Sequence, residues 1–260
     1  MLRILSALFL IPVFFSCIWF LPPLWLLAVA EAVLVLAFVE YAGLADALGA
    51  RVPRAASGAA AMAMCAAVGV GLPLELPLVA AFVGLGALVV GSRGPAASVL
   101  ADIGVAVFPV VYLGLPLGTF VALHALAGRE SVVLLVLTVI VSDSAQYFTG
   151  RWLGRHKLSP VISPKKTVEG ALGGFVLAPV VMAVVAHWWL PGRSVGWVLL
   201  VGLVIVGLGI VGDLFESLLK RSAGVKDSSA LIPGHGGVLD RIDAMLFAAP
   251  MFYVFLKYGG

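Results

Sequence analysis

The sequence predicts an all-α, polytopic integral membrane protein with about nine transmembrane helices. Hydrophobic residues make up 62% of the 260 residues, charged residues make up 11%, and the mean hydropathy is +1.16. A soluble protein of this length needs more polar residues to cover its surface, whereas a bilayer accepts apolar side chains on the outside. Backbone polar groups in lipid must be satisfied within each segment, which favours helices.

Apolar runs divide the chain, and each is long enough, or nearly so, to cross roughly 30 Å of hydrocarbon at about 1.5 Å per residue. Pro109 and Pro116 predict that one run is kinked or interrupted, and Gly128-Arg-Glu130 marks a break. The first run lacks an A-x-A-like cleavage site, so we expect a spanning helix there rather than a signal peptide. The runs are about 4–21, 24–49, 55–72, 74–91, 97–126, 131–153, 169–190, 194–219 and 241–258.

Basic residues predict the orientation of these helices. If nine helices alternate across the bilayer, thirteen Lys and Arg residues share the side of the N-terminus. The other side has three, namely Arg129, Arg193 and Lys257. Because cytosolic loops carry the excess of positive charge, we expect the N-terminus and both polar loops in the cytosol. The chain is expected in the cytoplasmic (inner) membrane, with its C-terminus on the outer side.

The chain is expected to form a single membrane domain over 1–260. Helices in about 1–126 are expected to act as a scaffold, and about 131–260 to hold the catalytic helices and cytosolic loops. Cys17 and Cys65 lie inside apolar runs, which gives little support to a disulfide or a zinc site. The formal net charge of +3 is small, and no nucleic-acid partner is expected.

The sixth run ends in a polar sequence, VSDSAQYFTG, that places a carboxylate within the bilayer. Asp143 lies about twelve residues after Ser131, or about 18 Å along a helix. Burying a carboxylate in lipid costs several kcal/mol, so a functional role is favoured. Gln146 and Tyr147 share its helix face. The alternative is a carboxylate paired with an Arg to hold the bundle together.

The loop after this helix, SPVISPKKTVEGALGG, carries the groups that bind phosphate. Pro164 excludes a simple helix continuation. Lys165 and Lys166 supply positive charge, and Ser163 and Thr167 supply hydroxyl donors. The N-terminus of the helix that follows also favours an anion. The alternative is an ordinary basic cytosolic loop that touches anionic lipid headgroups.

The most polar stretch runs from Ser217 to Asp243 and reads SLLKRSAGVKDSSALIPGHGGVLDRID. On the helix before it, Asp213, Glu216, Ser217 and Lys220 form one stripe. Carboxylates without a CxxC pair suit a hard cation such as Mg²⁺. The alternative is a salt-bridge belt at the headgroups. Its charged and titratable residues are Lys220, Arg221, Lys226, Asp227, His235, Asp240, Arg241 and Asp243.

This stretch resembles the signature of the phosphatidate cytidylyltransferases, also called CDP-diglyceride synthetases, without a mismatch. The segments SPKKTVEGALGG and GDLFES, the Asp143 segment and the nine-helix layout also resemble that family. Gln146 departs from the family pattern, where a small residue usually precedes the tyrosine. The resemblance implies transfer of a cytidylyl group from CTP to phosphatidate, giving CDP-diacylglycerol and pyrophosphate. It also implies Mg²⁺, a monovalent cation such as K⁺, and a homodimer with contacts through the N-terminal helices.

The resemblance also implies roles for the polar residues. Asp213 and Asp240 are expected to bind the metal, with ligation or support from Asp143, Asp227 and Asp243. Phosphates of CTP and of the lipid would be held by Lys165, Lys166, Lys220, Arg221, Lys226 and Arg241, with hydrogen bonds from Ser163 and Thr167. Ser217 and Tyr147 are further substrate contacts. For His235, which lies between glycines, the roles of ligand, general base and loop anchor stay open, and a substrate-contacting or positioning role is favoured. We expect a cytosol-facing polar cavity lined by the inner ends of helices six, eight and nine. The catalytic set is Asp213, Asp240, Lys220, Arg241 and His235.

Other functions remain open at this point. A related enzyme would use CTP with an ether-linked phosphatidate analogue or a polyprenol. A transporter would use Asp143 to bind a cation, although no internal repeat is visible and the polar residues gather on one side. A phosphotransferase that uses a CDP-lipid is disfavoured, because the sequence has no DGxxAR-type motif.

Overall fold

The computed structural model describes residues 12–92, 94, 96, 98–232 and 236–259. Arg3, Arg93 and His235 lie outside the described residues, as does the beginning of the first predicted helix. Within that first run, residues 12–20 are helical.

Helices occupy the other eight predicted runs, with boundaries close to those expected. We number the helices from residue 23 onward. The described helices are α1 Pro23–Ala47, α2 Arg54–Gly69, α3 Glu75–Ser92, α4 Val99–Pro109, a π-helical turn Val110–Gly114, α5 Leu115–Leu153, α6 Val168–Trp189, α7 Val195–Ser222 and α8 Leu239–Tyr258.

One β hairpin departs from the all-α prediction. Strand β1, Lys157–Ser159, pairs antiparallel with β2, Ser163–Thr167, in the loop between α5 and α6. The predicted loop is therefore an ordered hairpin, and Pro164 lies in its second strand. The remaining regular structure among the described residues is helical, apart from one isolated β-bridge between Ile232 and Gly236.

Four described helical stretches are long and apolar enough to cross a bilayer, and the chain is a helical integral membrane protein. A fifth apolar helix, Glu75–Gly91, is shorter. The total of about nine crossings stays a prediction. The four stretches are Pro23–Ala47, Val99–Leu153, Val168–Trp189 and Val195–Ser222.

The chain divides into two compact units, which we describe separately. The first unit comprises Met1–Ala122 and Leu219–Arg241. The second comprises Leu123–Leu218 and Ile242–Gly260. Most of the signature stretch therefore groups with the N-terminal helices, although the sequence analysis assigned it to the catalytic half after about residue 131.

In the first unit, α2 packs closely against the π-helical turn and the start of α5. A Cβ atom on Gly118 would lie 2.6 Å from the carbonyl oxygen of Cys65 and 2.7 Å from the Cβ of Val68. Small residues at such contacts let helix backbones approach in a membrane protein. The run with Pro109 is interrupted as predicted, because proline removes a helical N–H and the chain passes into a π-helical turn.

In the second unit, α5 bends sharply where the sequence predicts a break. Gly128 has φ +78° and ψ 172°, a conformation that residues with a side chain rarely adopt. Ser131 then donates its hydroxyl to the Gly128 carbonyl at 2.7 Å, which closes the new helical turn. A small apolar core packs α6 against α7 and contains Ala171, Ala178, Val206 and Ile210, with Phe175 and Leu214 beside it.

The close contact at Gly118 makes a testable prediction. Gly118→Ala should destabilise the protein by about 1–3 kcal/mol, because the added methyl overlaps backbone atoms of α2 that cannot move freely. The matched control is Gly104→Ala on α4, where an added Cβ has no neighbour within 4 Å. Thermal unfolding in detergent should show a lower midpoint for Gly118→Ala and an unchanged or higher one for the control. Equal midpoints would contradict the packing described here.

Candidate active site

Asp240 organises the signature stretch within the first unit. It lies in the first turn of α8, and its side chain is 6% exposed. One carboxylate oxygen accepts a hydrogen bond from the ammonium group of Lys220. The other accepts from the backbone N–H and the hydroxyl of Ser228, at 3.0 and 2.7 Å, and from the N–H of Gly237 at 2.8 Å. Two ends of the loop and the end of α7 therefore meet at one carboxylate.

These contacts determine the charge of Asp240. Burial alone favours the neutral acid, but the Lys220 ammonium and the donors on Gly237 and Ser228 lower the pKa of Asp240 to about 2. The stabilisation is fully present above the ordinary aspartate pKa of about 3.9 and is lost as the pH falls toward the folded value. The carboxylate is therefore an anion at every physiological pH.

Glu40 on α1 is part of this arrangement, and the sequence analysis missed it. The residue is 6% exposed, and its carboxylate accepts four hydrogen bonds from the signature stretch. The sequence does indicate a role for Glu40, because burying a carboxylate inside the apolar run 24–49 costs free energy and such residues are usually functional.

The other charged residues of the signature stretch are more accessible. Arg221 donates to the carbonyl oxygen of Val225 at 2.9 Å, which closes the turn after α7. The side chains of Arg221, Lys226, Asp227 and Arg241 belong to exposed residues, so they are accessible to a soluble ligand. Their predicted roles toward phosphate or metal stay predictions.

In the second unit, strand β2 of the hairpin and α7 meet at an ion pair. The Nζ of Lys166 lies 2.7 Å from Oδ2 of Asp213, and the two side chains are 19% and 33% exposed. Ser217 donates its hydroxyl to the other oxygen of Asp213 at 3.3 Å. The structure therefore brings together residues from two motifs that lie far apart in the sequence.

The start of α6 holds the hairpin in place. The hydroxyl oxygen of Thr167 accepts the N–H of Gly170 at 3.1 Å, which caps the helix. Glu169 accepts the N–H of Arg155 at 3.0 Å and contacts Nδ1 of His156 at 2.6 Å. The predicted helix start is confirmed. Thr167 is buried and acts as a cap, while Lys165 is exposed.

The Asp143 segment of α5 packs directly against α6. Gln146 donates to the hydroxyl of Ser142 at 3.0 Å and to Oδ1 of Asp143 at 3.4 Å. A Cβ atom on Gly174 would lie 2.9 Å from the Gln146 side chain, which explains the glycines of the GALGG sequence. Tyr147 is exposed, and its hydroxyl accepts from Arg151 at 3.0 Å.

Asp243 lies at a close contact between α7 and α8 in the second unit. A Cβ atom on Gly212 would lie 2.5 Å from the backbone carbonyl oxygen of Asp243. The Asp243 carboxylate also accepts the N–H of Ala244 at 2.8 Å. Gly212, the residue before Asp213, therefore permits α7 and α8 to touch next to Asp213.

No three His, Cys, Asp or Glu residues among those described are close enough together to form a metal site by themselves. His235 lies outside the described part of the chain. Metal binding by Asp213, Asp240, Asp143, Asp227 and Asp243 stays a prediction, as does the cytosol-facing cavity.

Comparison with known proteins identifies the family. The chain matches the cytidylyltransferase family over residues 1–259. It belongs to this family. It is 37% identical over 155 residues to a phosphatidate cytidylyltransferase of Staphylococcus haemolyticus, which covers 60% of this chain and 59% of that protein. It is 43% identical over 123 residues to that of Haemophilus influenzae, covering 46% and 43%.

A third relative is the phosphatidate cytidylyltransferase of Synechocystis sp., 47% identical over 131 residues, which covers 50% of this chain and 44% of the relative. The chain thus spans about half the length of these relatives, with shares from 43% to 59%. The predicted resemblance of the sequence to the cytidylyltransferases is confirmed at the level of the family.

The Lys220–Asp240 pair makes a testable prediction about stability. Lys220→Met should cost about 3 kcal/mol, because it leaves a buried carboxylate without its cation. Lys226→Met, at an exposed position of the same stretch, is the matched control and should change stability by less than about 0.5 kcal/mol. Thermal unfolding in detergent measures both. Equal stability of Lys220→Met and the wild type would contradict a structural role for the pair.

Proposed function

We propose that the chain transfers a cytidylyl group from CTP to phosphatidate, forming CDP-diacylglycerol and releasing pyrophosphate. The observation that carries the proposal is membership of the cytidylyltransferase family over residues 1–259. Three relatives named phosphatidate cytidylyltransferase, at 37%, 43% and 47% identity, support this choice of acceptor. Phospholipid synthesis is the process in which such a product is used.

The chemistry of the described side chains is compatible with this reaction. An oxygen of the lipid phosphate attacks the α-phosphorus of CTP, and the bond to the β-phosphate breaks. The nucleophile is already an anion, so the main obstacle is repulsion between two polyanions. Lys165, Lys226 and Arg241 are exposed cations that suit phosphate oxygens, and Arg provides paired donors.

Mg²⁺ belongs to this proposal. Mg²⁺ usually binds through one or two carboxylates, and substrate phosphates and water supply its other ligands. Asp213 and Asp240 each offer carboxylate oxygens. Lys166 contacts Asp213, and both oxygens of Asp240 accept hydrogen bonds that a metal would have to displace. When bound, Mg²⁺ would neutralise charge on the triphosphate. Asp143, Asp227 and Asp243 are the further candidates, and a cation such as K⁺ is part of the same proposal.

The reaction makes a direct prediction. Purified protein in detergent should release pyrophosphate and form CDP-lipid only when CTP, phosphatidate and Mg²⁺ are all present. Asp213→Asn and Asp240→Asn should each lower turnover by at least about a hundredfold, because an amide cannot replace an anionic metal ligand. Turnover is measured as pyrophosphate release, and CTP binding is measured separately.

Several results would contradict parts of this proposal. Normal turnover in either Asp→Asn variant would exclude that residue as an essential metal ligand. CTP binding without turnover on phosphatidate would favour another acceptor, which ether-linked lipid and a polyprenol would test in parallel. Folded protein that binds no CTP would favour a cation transporter, for which Asp143 is the candidate ligand.

We also propose that the polar loops face the cytosol, with the N-terminus on the same side and the C-terminus outside. The distribution of basic residues supports this orientation, with thirteen on the proposed cytosolic side and three on the other. A homodimer, which the sequence resemblance implies, is part of the same proposal.

The orientation is tested with two exposed residues, Arg129 next to the bend of α5 and Arg155 just after the end of that helix. In a background with Cys17 and Cys65 replaced by Ala, Arg129→Cys should react with a membrane-impermeant maleimide in right-side-out vesicles. Arg155→Cys should react only in inverted vesicles, because the proposed orientation puts it in the cytosol. The reverse labelling pattern would overturn the orientation, and labelling after detergent lysis controls for access to each thiol.

A further inference from the structure

Glu40 presents an anionic group to the signature stretch from outside all the predicted motifs. Its Oε1 accepts the hydroxyl of Ser229 at 2.6 Å and the N–H of Val238 at 2.9 Å. Its Oε2 accepts the hydroxyl of Ser228 at 3.0 Å and the N–H of Leu239 at 2.7 Å. Each oxygen therefore has one hydroxyl and one backbone N–H within hydrogen-bond distance. The single Ser228 proton is shared with Asp240, so the Ser229 hydroxyl and the two backbone N–H groups are the donors that serve Glu40 alone.

Two of these donors lie at the beginning of α8. The first N–H groups of a helix have no partner within the helix, and the helix dipole makes this end positive. Val238 and Leu239 supply such groups, since α8 begins at Leu239. Glu40 acts as a helix cap supplied by α1, nearly two hundred residues away in the sequence. It fixes where α8 begins and therefore where Asp240 lies.

A second connection joins Glu40 to Asp240 through the hydroxyl of Ser228. The hydroxyl of Ser228 lies 3.0 Å from Oε2 of Glu40 and 2.7 Å from Oδ2 of Asp240. Two neighbouring N–H groups also divide between the carboxylates, since Gly237 donates to Asp240 and Val238 donates to Glu40. The two carboxylates share one serine and neighbouring amides, so a displacement of Glu40 changes the donors available to Asp240.

Gly237 shows how tightly this arrangement is packed. A Cβ atom there would overlap the hydroxyl of Ser228 and the carboxylate of Glu40. The space that a side chain would occupy is therefore filled by these two groups. The glycine before α8 is required for close approach of the carboxylate to the backbone.

We infer that Glu40 is a positioning residue, which holds Ser228, Ser229 and the start of α8 so that Asp240 keeps a fixed geometry toward Lys220. The kinetic part of this inference rests on the proposed function, and the structural part does not. Residues that orient a metal ligand typically contribute about tenfold to a hundredfold to activity or metal affinity. Glu40 acts through Asp240, Ser228 and the helix N-terminus, without touching the substrate.

The first experiment measures hydrogen–deuterium exchange at single amides in detergent without substrate. Glu40→Gln keeps the shape but places an NH₂ group against one of two backbone N–H donors. We expect about tenfold or faster exchange at Val238 and Leu239, because a charge-assisted hydrogen bond is lost. Asp46→Asn is the matched control, an acid-to-amide change at an exposed position of the same helix outside this cluster, and should exchange like the wild type. Wild-type exchange in folded Glu40→Gln would overturn the inference.

The second experiment measures pyrophosphate release by the same proteins. Glu40→Gln should lower kcat by about tenfold to a hundredfold with a smaller change in the KM for CTP. Glu40→Asp, which keeps the charge, should recover part of that loss, whereas Asp46→Asn should behave like the wild type. Faster exchange with an unchanged kcat would overturn the positioning role. A wild-type protein without turnover would refute the proposed function, and the exchange experiment would still test the cap.

A milder pair of variants covers the case in which Glu40→Gln fails to fold. Ser228→Ala removes the hydroxyl shared by Glu40 and Asp240, whereas Ser229→Ala removes a hydroxyl that contacts Glu40 and not Asp240. We expect the kcat to fall more in Ser228→Ala than in Ser229→Ala. Equal kcat values in the two variants would contradict the connection from Glu40 to Asp240.

Discussion

A carboxylate among apolar helices needs hydrogen-bond donors or a cation, because an isolated charge is too costly to bury. Three carboxylates of this protein meet that requirement with partners from other segments of the chain. Asp240 uses Lys220 and the loop before α8, Asp213 uses Lys166, and Glu40 uses two serines and a helix end. Each solution fixes one polar segment onto an apolar helix, so the charges determine how the loops are held.

The same requirement explains why glycine and serine are frequent beside these acids. A backbone N–H reaches a carboxylate only where no side chain intervenes, and Gly237 provides such a place. Serine adds a short donor that costs little conformational entropy when it is ordered. Glycine serves the helices too, because Gly212 lets the backbone of α8 approach α7 immediately before Asp213. Local sequence and the position of the charged groups are therefore coupled.

Much of the fold was predictable because membrane helices are long apolar runs ended by proline, glycine and charge. The break at Gly128 and the interruption after Pro109 follow from single residues with known backbone limits. The partners of the carboxylates were not predictable, since periodicity describes one helix at a time. Nothing in the local pattern connects Lys166 with Asp213. The hairpin was missed because strands this short depend on contacts such as those of Glu169.

The N-terminal helices have a larger part in the candidate active site than a scaffold requires. Most of the signature stretch groups with them, and Glu40 supplies four of its hydrogen bonds. An apolar residue at position 40 would still suit the membrane helix, but it would leave the amides of Val238 and Leu239 and the hydroxyl of Ser229 without this acceptor. The energetic cost of that loss falls on the loop that carries Asp240 rather than on α1 itself. The position of the loop that carries Asp240 therefore depends on a residue of α1, a helix that contains none of the predicted motifs.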